Sequence, residues 1–310
     1  MSSAHPERKM MMYKIHRFQL AWVLLLIAFC LSCGCTAGAR SKMMVNSMKP
    51  LLEHMNTAAR KNNDIKLVRD AMPAALVQMD GLVEASPENK YLLATAAENY
   101  YAYSFFFVEP TDKKAAENLY LKARKYAFRA LNQNKAFKEA ASGSLDDFSN
   151  ALQTFEKEDV PAMYWAVSSW LAWMRISHSS GFDSVIDFPK IEAMMDRMLV
   201  LDETFNYGAV HILIGAYYAN IPDTLGGIAE GADYHFEQAF DISDSKYLLW
   251  HVFYAKYYAF QVQDKQLYLD SLETVVSAPD DLFPKEAFSN RMAKKMAKQM
   301  LKETDLLFLD

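Results

Sequence analysis

YGAVHILIGAYYA, residues 207–219, and YLLWHVFYAKYYA, residues 247–259, align without a gap at a constant offset of 40. Each opens on a tyrosine, places a histidine four residues on (His211, His251) and closes on Tyr-Tyr-Ala. Apolar residues recur at three- and four-residue spacing through both, the period of an α-helix that buries one face. Tyr100-Tyr101-Ala102 and Trp170-Leu171-Ala172 read as earlier copies of the same helix end. Alanine permits close helix approach and the aromatic rings supply buried area, so such helices are expected to stack on one another and share a core.

Working outward, the same periodicity runs from Met43 nearly to the C-terminus, broken by turns rich in Pro, Gly, Ser, Asn and Asp. The reading is all-α, an array of antiparallel helical hairpins forming one domain over residues 43–310, with about 11–13 helices. The predicted helices include Met43–Lys61, Glu88–Phe107, Lys113–Leu131, Tyr207–Ala219 and Lys246–Phe260. Ser86-Pro87 is read as a helix start, because serine caps exposed amides and proline suits a first turn. Stacked hairpins of this kind describe a tetratricopeptide-like α-solenoid. The repeat of 40 is longer than the usual period of about 34, so the likeness is to the hairpin and not to the strict motif.

Ahead of the array, Lys14 and Arg17 precede an unbroken apolar run from Leu20 to Leu31. Its 12 residues match a signal-peptide core and fall short of the roughly 20 that span a bilayer. The following Leu31-Ser32-Cys33-Gly34-Cys35 is similar to a bacterial lipobox, in which small residues precede an acylated cysteine. Cys35, preceded by Gly34, fits better than Cys33, which would place Cys30 where an aliphatic or small residue belongs. The expected organisation is a signal peptide over residues 1–34, a lipidated tether over 35–42, then the domain. An ordinary cleaved leader is the alternative.

All three cysteines fall at or before this boundary, so the remaining chain has no pair for a disulfide and its stability must come from packing. The leader carries Arg8, Lys9, Lys14 and Arg17 against Glu7, so its removal takes the net charge from −5 to −8. Such an acidic body disfavours nucleic acid and anionic headgroups as partners and leaves attachment to acyl chains.

Catalytic and cofactor motifs are near misses. Gly226 to Gly231 has the G-x-x-x-x-G spacing of a phosphate loop, but Ala232 and Asp233 stand where lysine and a hydroxyl are needed. The seven histidines form no metal-binding pair on a helix, and no nucleophile elbow occurs. No enzyme activity, cofactor or metal is expected. Asp146 and Asp147, beside Ser144, read as the acidic first turn of a helix. The densest aromatic segment is Met163–Trp173, holding Tyr164, Trp165, Trp170 and Trp173 on more than one helical face. Most of these rings belong in a core, but their spread leaves some to line a cleft or an interface.

Several segments together resemble the T-component (TatT) family of tripartite ATP-independent periplasmic (TRAP) transporters. They are DVPAMYW at 159–165, FPKIEAMMDR at 188–197, GAVH at 208–211 with GAYY at 215–218, LGG at 225–227 followed by YHFEQA at 234–239, and NR at 290–291 with Lys294 and the closing DLLF at 305–308. The family's double glycine is usually followed at once by an acidic residue, whereas Ile228-Ala-Glu-Gly intervenes here. The resemblance implies a non-catalytic, periplasm-facing helical lipoprotein that binds a periplasmic solute-binding protein and a hydrophobic or organic-acid ligand. A homo-oligomer, with a trimer in view, is also expected, and because Thr36 rather than aspartate follows Cys35, the expected location in a Gram-negative host is the periplasmic face of the outer membrane. Carried over by position, the cleft or interface residues are Tyr164, Trp165, His211, Gly226 and Gly227, to which the aromatic pattern adds Trp170, Trp173 and Tyr218. A scaffold lipoprotein for envelope assembly is the alternative function.

Overall fold

The computed structural model describes residues 37–177, 187–221 and 229–308. The leader, Cys35, Gly226 and Gly227 lie outside the described residues. Those described form helices joined by turns, with no strand among them, so the chain is all-α. They divide into two compact units, with the division in the chain between Ser47 and Met48. The first contains α1 (Ala37–Ser47). The second begins with α2 (Lys49–Lys61), so the single helix expected from Met43 to Lys61 is two. The cause is Pro50, in the first turn of α2, where its missing N–H costs nothing while its ring bars an uninterrupted helix.

The second unit continues with α3 (Ile65–Ala85), α4 (Lys90–Tyr103), α5 (Lys113–Leu131), α6 (Lys135–Ala140) and α7 (Leu145–Leu152). Then come α8 (Val160–Ile176), α9 (Phe188–Asp202), α10 (Phe205–Asn220), α11 (Ala229–Ile242), α12 (Leu249–Tyr254), α13 (Lys265–Ser277) and α14 (Ala287–Leu307). Side-chain caps set many of the starts: Asp64, Asn89, Asp112, Asn134, Ser144 and Asp264 each accept from an amide three residues on. The expected start at Ser86-Pro87 moves to Asn89, and Ser86 instead ends α3 and is fully buried. The short α6 had no periodicity to announce it, being under two turns long.

Two helices change pitch. The end of α4 widens into a π-helix at Ser104–Val108, and α12 passes into another at Ala255–Ala259. Each extra residue per turn rotates the following side chains; the first π segment follows the Tyr100-Tyr101-Ala102 copy of the aromatic-alanine signature and the second contains the Tyr257-Tyr258-Ala259 copy. At the start of α10 the chain takes left-handed angles at Asn206, Tyr207 and Gly208, with φ of 46°, 63° and 82°. The periodicity predicts Tyr207 as an ordinary first helical residue. This turn lets the indole Nε1–H of Trp250 donate to the Tyr207 carbonyl at 2.7 Å.

The closest pairings are α4 with α5 and α10 with α11, which are consecutive helices, and α5 with α8, which are not. The α10–α11 contact is tight because Gly215 faces Phe236 and the Ala232 carbonyl, where a Cβ would lie 2.9 and 3.0 Å from them. One contact departs from solenoid logic, in which each repeat touches only its neighbours. The last helix, α14, packs on α13 and α12 and also on α2 and α3, so the two ends of the second unit meet. This closure brings together the residues of the site.

Candidate functional site

The signature that defines the repeat also surrounds a hollow. A cavity of about 420 Å³ is lined by Tyr101, by Leu171 and Ala172, by Ala216 and Tyr217, and by Tyr257, which come from all four copies of the aromatic-alanine helix end. Tyr164, Ser168, Phe188 and Phe253 complete much of its wall. A second cavity, of about 320 Å³, lies across Tyr101, Tyr164 and Phe253, which border both. Trp165, Trp250 and Phe288 add to its aromatic lining. A third, wider and more polar hollow of about 920 Å³ shares Trp165, Arg60, Glu98 and Asn206 with the second. The three therefore follow one another through the second unit, divided by side chains. The two inner volumes fall in the range that encloses a small organic ligand.

The aromatic partition is built by packing. Tyr101 lies against Trp165 and Tyr120 with ring centres 5.3 and 5.4 Å apart, and Tyr164 meets Trp165 edge to face at 4.8 Å. Phe105 meets Phe253 edge to face at 5.5 Å. Contacts of this geometry are favourable beyond the area they bury and hold the rings in fixed orientations. Burial pushes the phenols of Tyr101 and Tyr164 up, so both are neutral hydroxyls at any physiological pH. Ser168 Oγ, beside Tyr164, is buried in the cavity wall and has no aligned hydrogen-bond partner among the described residues.

Each inner boundary carries an arginine already matched by carboxylate. Between the second and third hollows, Arg60 from α2 donates to Glu98 of α4 at 2.5 Å and lies 3.7 Å from Glu286, just before α14. The Tyr207 hydroxyl also donates to Glu286, at 3.3 Å. Glu98 and, less strongly, Glu286 hold the Arg60 pKa above its usual range, whereas burial raises that of Glu286. At the first cavity, Arg175 of α8 lies 2.8 Å from both oxygens of Glu109, one of which also accepts from the Tyr120 hydroxyl at 2.6 Å. Burial works against the charge on Arg175, but Tyr257 and Glu109 outweigh it and keep the guanidinium ionised.

Of the residues singled out from sequence, Tyr164 borders the first and second cavities and Trp165 the second and third. Trp170, Trp173, His211 and Tyr218 line none of the three hollows. Trp170 is 4% exposed, with the Arg124 guanidinium stacked 3.9 Å above its ring. Trp173 packs at the edge of the cluster around Phe105 and Tyr120. His211 is buried, its Nδ1 2.9 Å from Nδ1 of His235, and Tyr218 lies beside that pair with its ring 5.9 Å from His235. The equivalent His251 stacks on Phe240 at 4.4 Å, so in both copies the repeated histidine lies against another ring. Burial lowers the pKa of His211 and, reinforced by His211, takes His235 down to about 4. Among the described residues no cluster of His, Cys, Asp and Glu is placed to hold a metal, and no helix is long and apolar enough to cross a membrane.

Sequence reasoning missed Arg60, Glu98, Glu109, Arg175, Phe253 and Glu286. Lone charged residues on amphipathic helices look solvated until a distant partner is known. Tyr101 and Tyr257 were visible as repeat positions, but nothing local showed that the repeated ends converge.

These features define an all-helical protein with an aromatic-lined interior. A family model described as TRAP transporter T-component matches residues 61–308. The chain belongs to that family and is thereby an accessory component of a TRAP transporter. It is also similar to an uncharacterized protein of Treponema pallidum (strain Nichols), with 21% identity over 267 residues that cover 81% of this chain and 82% of the relative.

Proposed function

We propose that this T-component is a lipid-anchored periplasmic protein that docks the soluble solute-binding protein of its transporter and holds a ligand in its inner cavities. The observation that carries the reading is the convergence of all four repeated helix ends on one aromatic-lined cavity. A purely structural repeat would be expected to fill that space with side chains, since protein interiors are packed nearly as densely as organic crystals. Tyr164 and Trp165 are the ligand-facing members of the residues read from sequence, and Cys35 is the acylated residue. The aliphatic chains on such a cysteine anchor the protein, each buried methylene adding about 0.8 kcal/mol. In a Gram-negative cell the anchor sits in the periplasmic leaflet of the outer membrane, and assembly as a homotrimer would present several cavities together.

The test is co-purification of the anchored protein from envelope extract under mild conditions, with native mass spectrometry of what is retained. A solute-binding protein is the expected partner. Recovery of envelope-assembly proteins in its place would overturn the transport reading. Metabolic acyl labelling should vanish in Cys35→Ser and persist in Cys33→Ser, and the opposite pattern would move the anchor to Cys33.

A further inference from the structure

An arginine in an apolar cavity is the usual clamp for a carboxylate, because its planar fork donates two parallel hydrogen bonds. Both arginines of the inner cavities already have a carboxylate partner. Arg175 Nη2 lies 2.8 Å from both oxygens of Glu109, and Arg60 donates through Nη2 to Glu98 at 2.5 Å with its Nη1 3.7 Å from Glu286. Arg175 is the one charged side chain lining the first cavity among the described residues, so with Glu109 that site is neutral before any ligand enters. The second cavity holds Arg60 against Glu98 and Glu286, and the outer hollow is lined by three basic side chains against five carboxylates. An anionic ligand would meet this excess of carboxylate, and the arginines that could offset its charge are already paired with Glu109, Glu98 and Glu286. A polar group in the wall of the first cavity is Ser168 Oγ, buried beside the neutral phenol of Tyr164. A hydroxyl both donates and accepts, and therefore suits an uncharged polar head with the same capacity.

We propose that the inner cavities bind an uncharged amphiphile, an aliphatic chain bearing a hydroxyl or carbonyl head placed at Ser168 and Tyr164, and reject the corresponding carboxylate. This rests on reading the cavities as ligand sites and narrows that reading from a hydrophobic or organic-acid ligand to the uncharged class. Glu98 and Glu109 are the specificity-determining residues, since each occupies the arginine that an acid would need.

The experiment uses the full mature chain carrying Cys35→Ser, which removes the acylated thiol and keeps detergent out of the assay. Displacement of the neutral fluorophore N-phenyl-1-naphthylamine is measured with 1-dodecanol and with dodecanoate at pH 8, both below their aggregation limits. Dodecanol should compete at a concentration at least about tenfold lower than dodecanoate. In Glu109→Gln, which leaves Arg175 uncompensated, dodecanoate should gain about tenfold while dodecanol changes by less than about twofold. Equal or stronger competition by dodecanoate in the unsubstituted cavity overturns the inference, and that comparison decides even if Glu109→Gln does not fold. A folded Glu109→Gln protein with an unchanged ratio also overturns it. If neither the fluorophore nor either amphiphile binds, the reading of the cavities as ligand sites fails, and the selectivity falls with it.

Discussion

Gly208→Ala isolates the left-handed turn that starts α10. The glycine has φ of +82°, and a Cβ there would lie 2.9 Å from the Ala239 Cα and 3.2 Å from its Cβ. An L-residue in this conformation costs about 1–2 kcal/mol, partly offset by about 0.4–1 kcal/mol from the stiffer unfolded chain. The clash is with backbone of α11, which cannot rotate away, and overpacking of this kind adds about 1–3 kcal/mol. The expected loss is therefore about 2–4 kcal/mol, or roughly 4–16 °C in Tm for a domain of this size. Urea unfolding and calorimetry measure it, with Gly81→Ala as the control. Gly81 lies inside α3 with nothing within 4 Å of a built Cβ, so its replacement should stabilise by about 0.5–1 kcal/mol. If Gly208→Ala matches the parent protein to within about 0.5 kcal/mol, the strain-and-clash argument is wrong. A folded Gly208→Ala protein should also show weaker coupling across the closure, because the turn positions Tyr207 against Glu286 and Trp250.

The His211–His235 pair gives a pH dependence with a definite sign. The folded pKa of His235, about 4, lies below the ordinary 6.5, so its contribution is complete above pH 6.5 and is lost as pH falls toward 4, where the unfolded chain takes up the proton. His235 is only half-buried, and screening reduces the effect to about 1–2 kcal/mol. The urea midpoint of His235→Gln should fall less than that of the parent between pH 7 and pH 4.5, and parallel curves would count against the pair. Trp170→Ala should cost about 3–5 kcal/mol through the lost indole and its Arg124 contact. The fraction that remains folded should bind fluorophore normally, because Trp170 lines no cavity; selective loss of binding without loss of stability would place it in the site.

Legibility from sequence followed the range of the interactions. The helix over Lys113–Leu131 appears with the bounds read from its periodicity. The first-turn carboxylates Asp146 and Asp147 and the start of α7 at Ser144 also fall as expected, because caps and periods act over three or four residues. The chain's widening at Ser104–Val108 and Ala255–Ala259, and the turn at Asn206–Gly208, were not legible. Those backbone states are unfavourable in isolation and persist because surrounding helices hold them. In the aromatic segment the sequence supplied four candidates, and packing separated Tyr164 and Trp165, which face the hollows, from Trp170 and Trp173, which do not.

By itself the sequence determined an all-α chain, the repeated aromatic-alanine helix ends, and enough motif likeness to point to the T-component family. Each of these is written in contiguous residues. Only the tertiary structure decided that the four ends surround one cavity, that α14 closes on α2 and α3, and that Arg175 meets Glu109 across 66 positions. The physical reason is that helical periodicity records which face is buried but carries no address for what it is buried against. A cavity and its charge balance exist only once helices distant in the chain have packed.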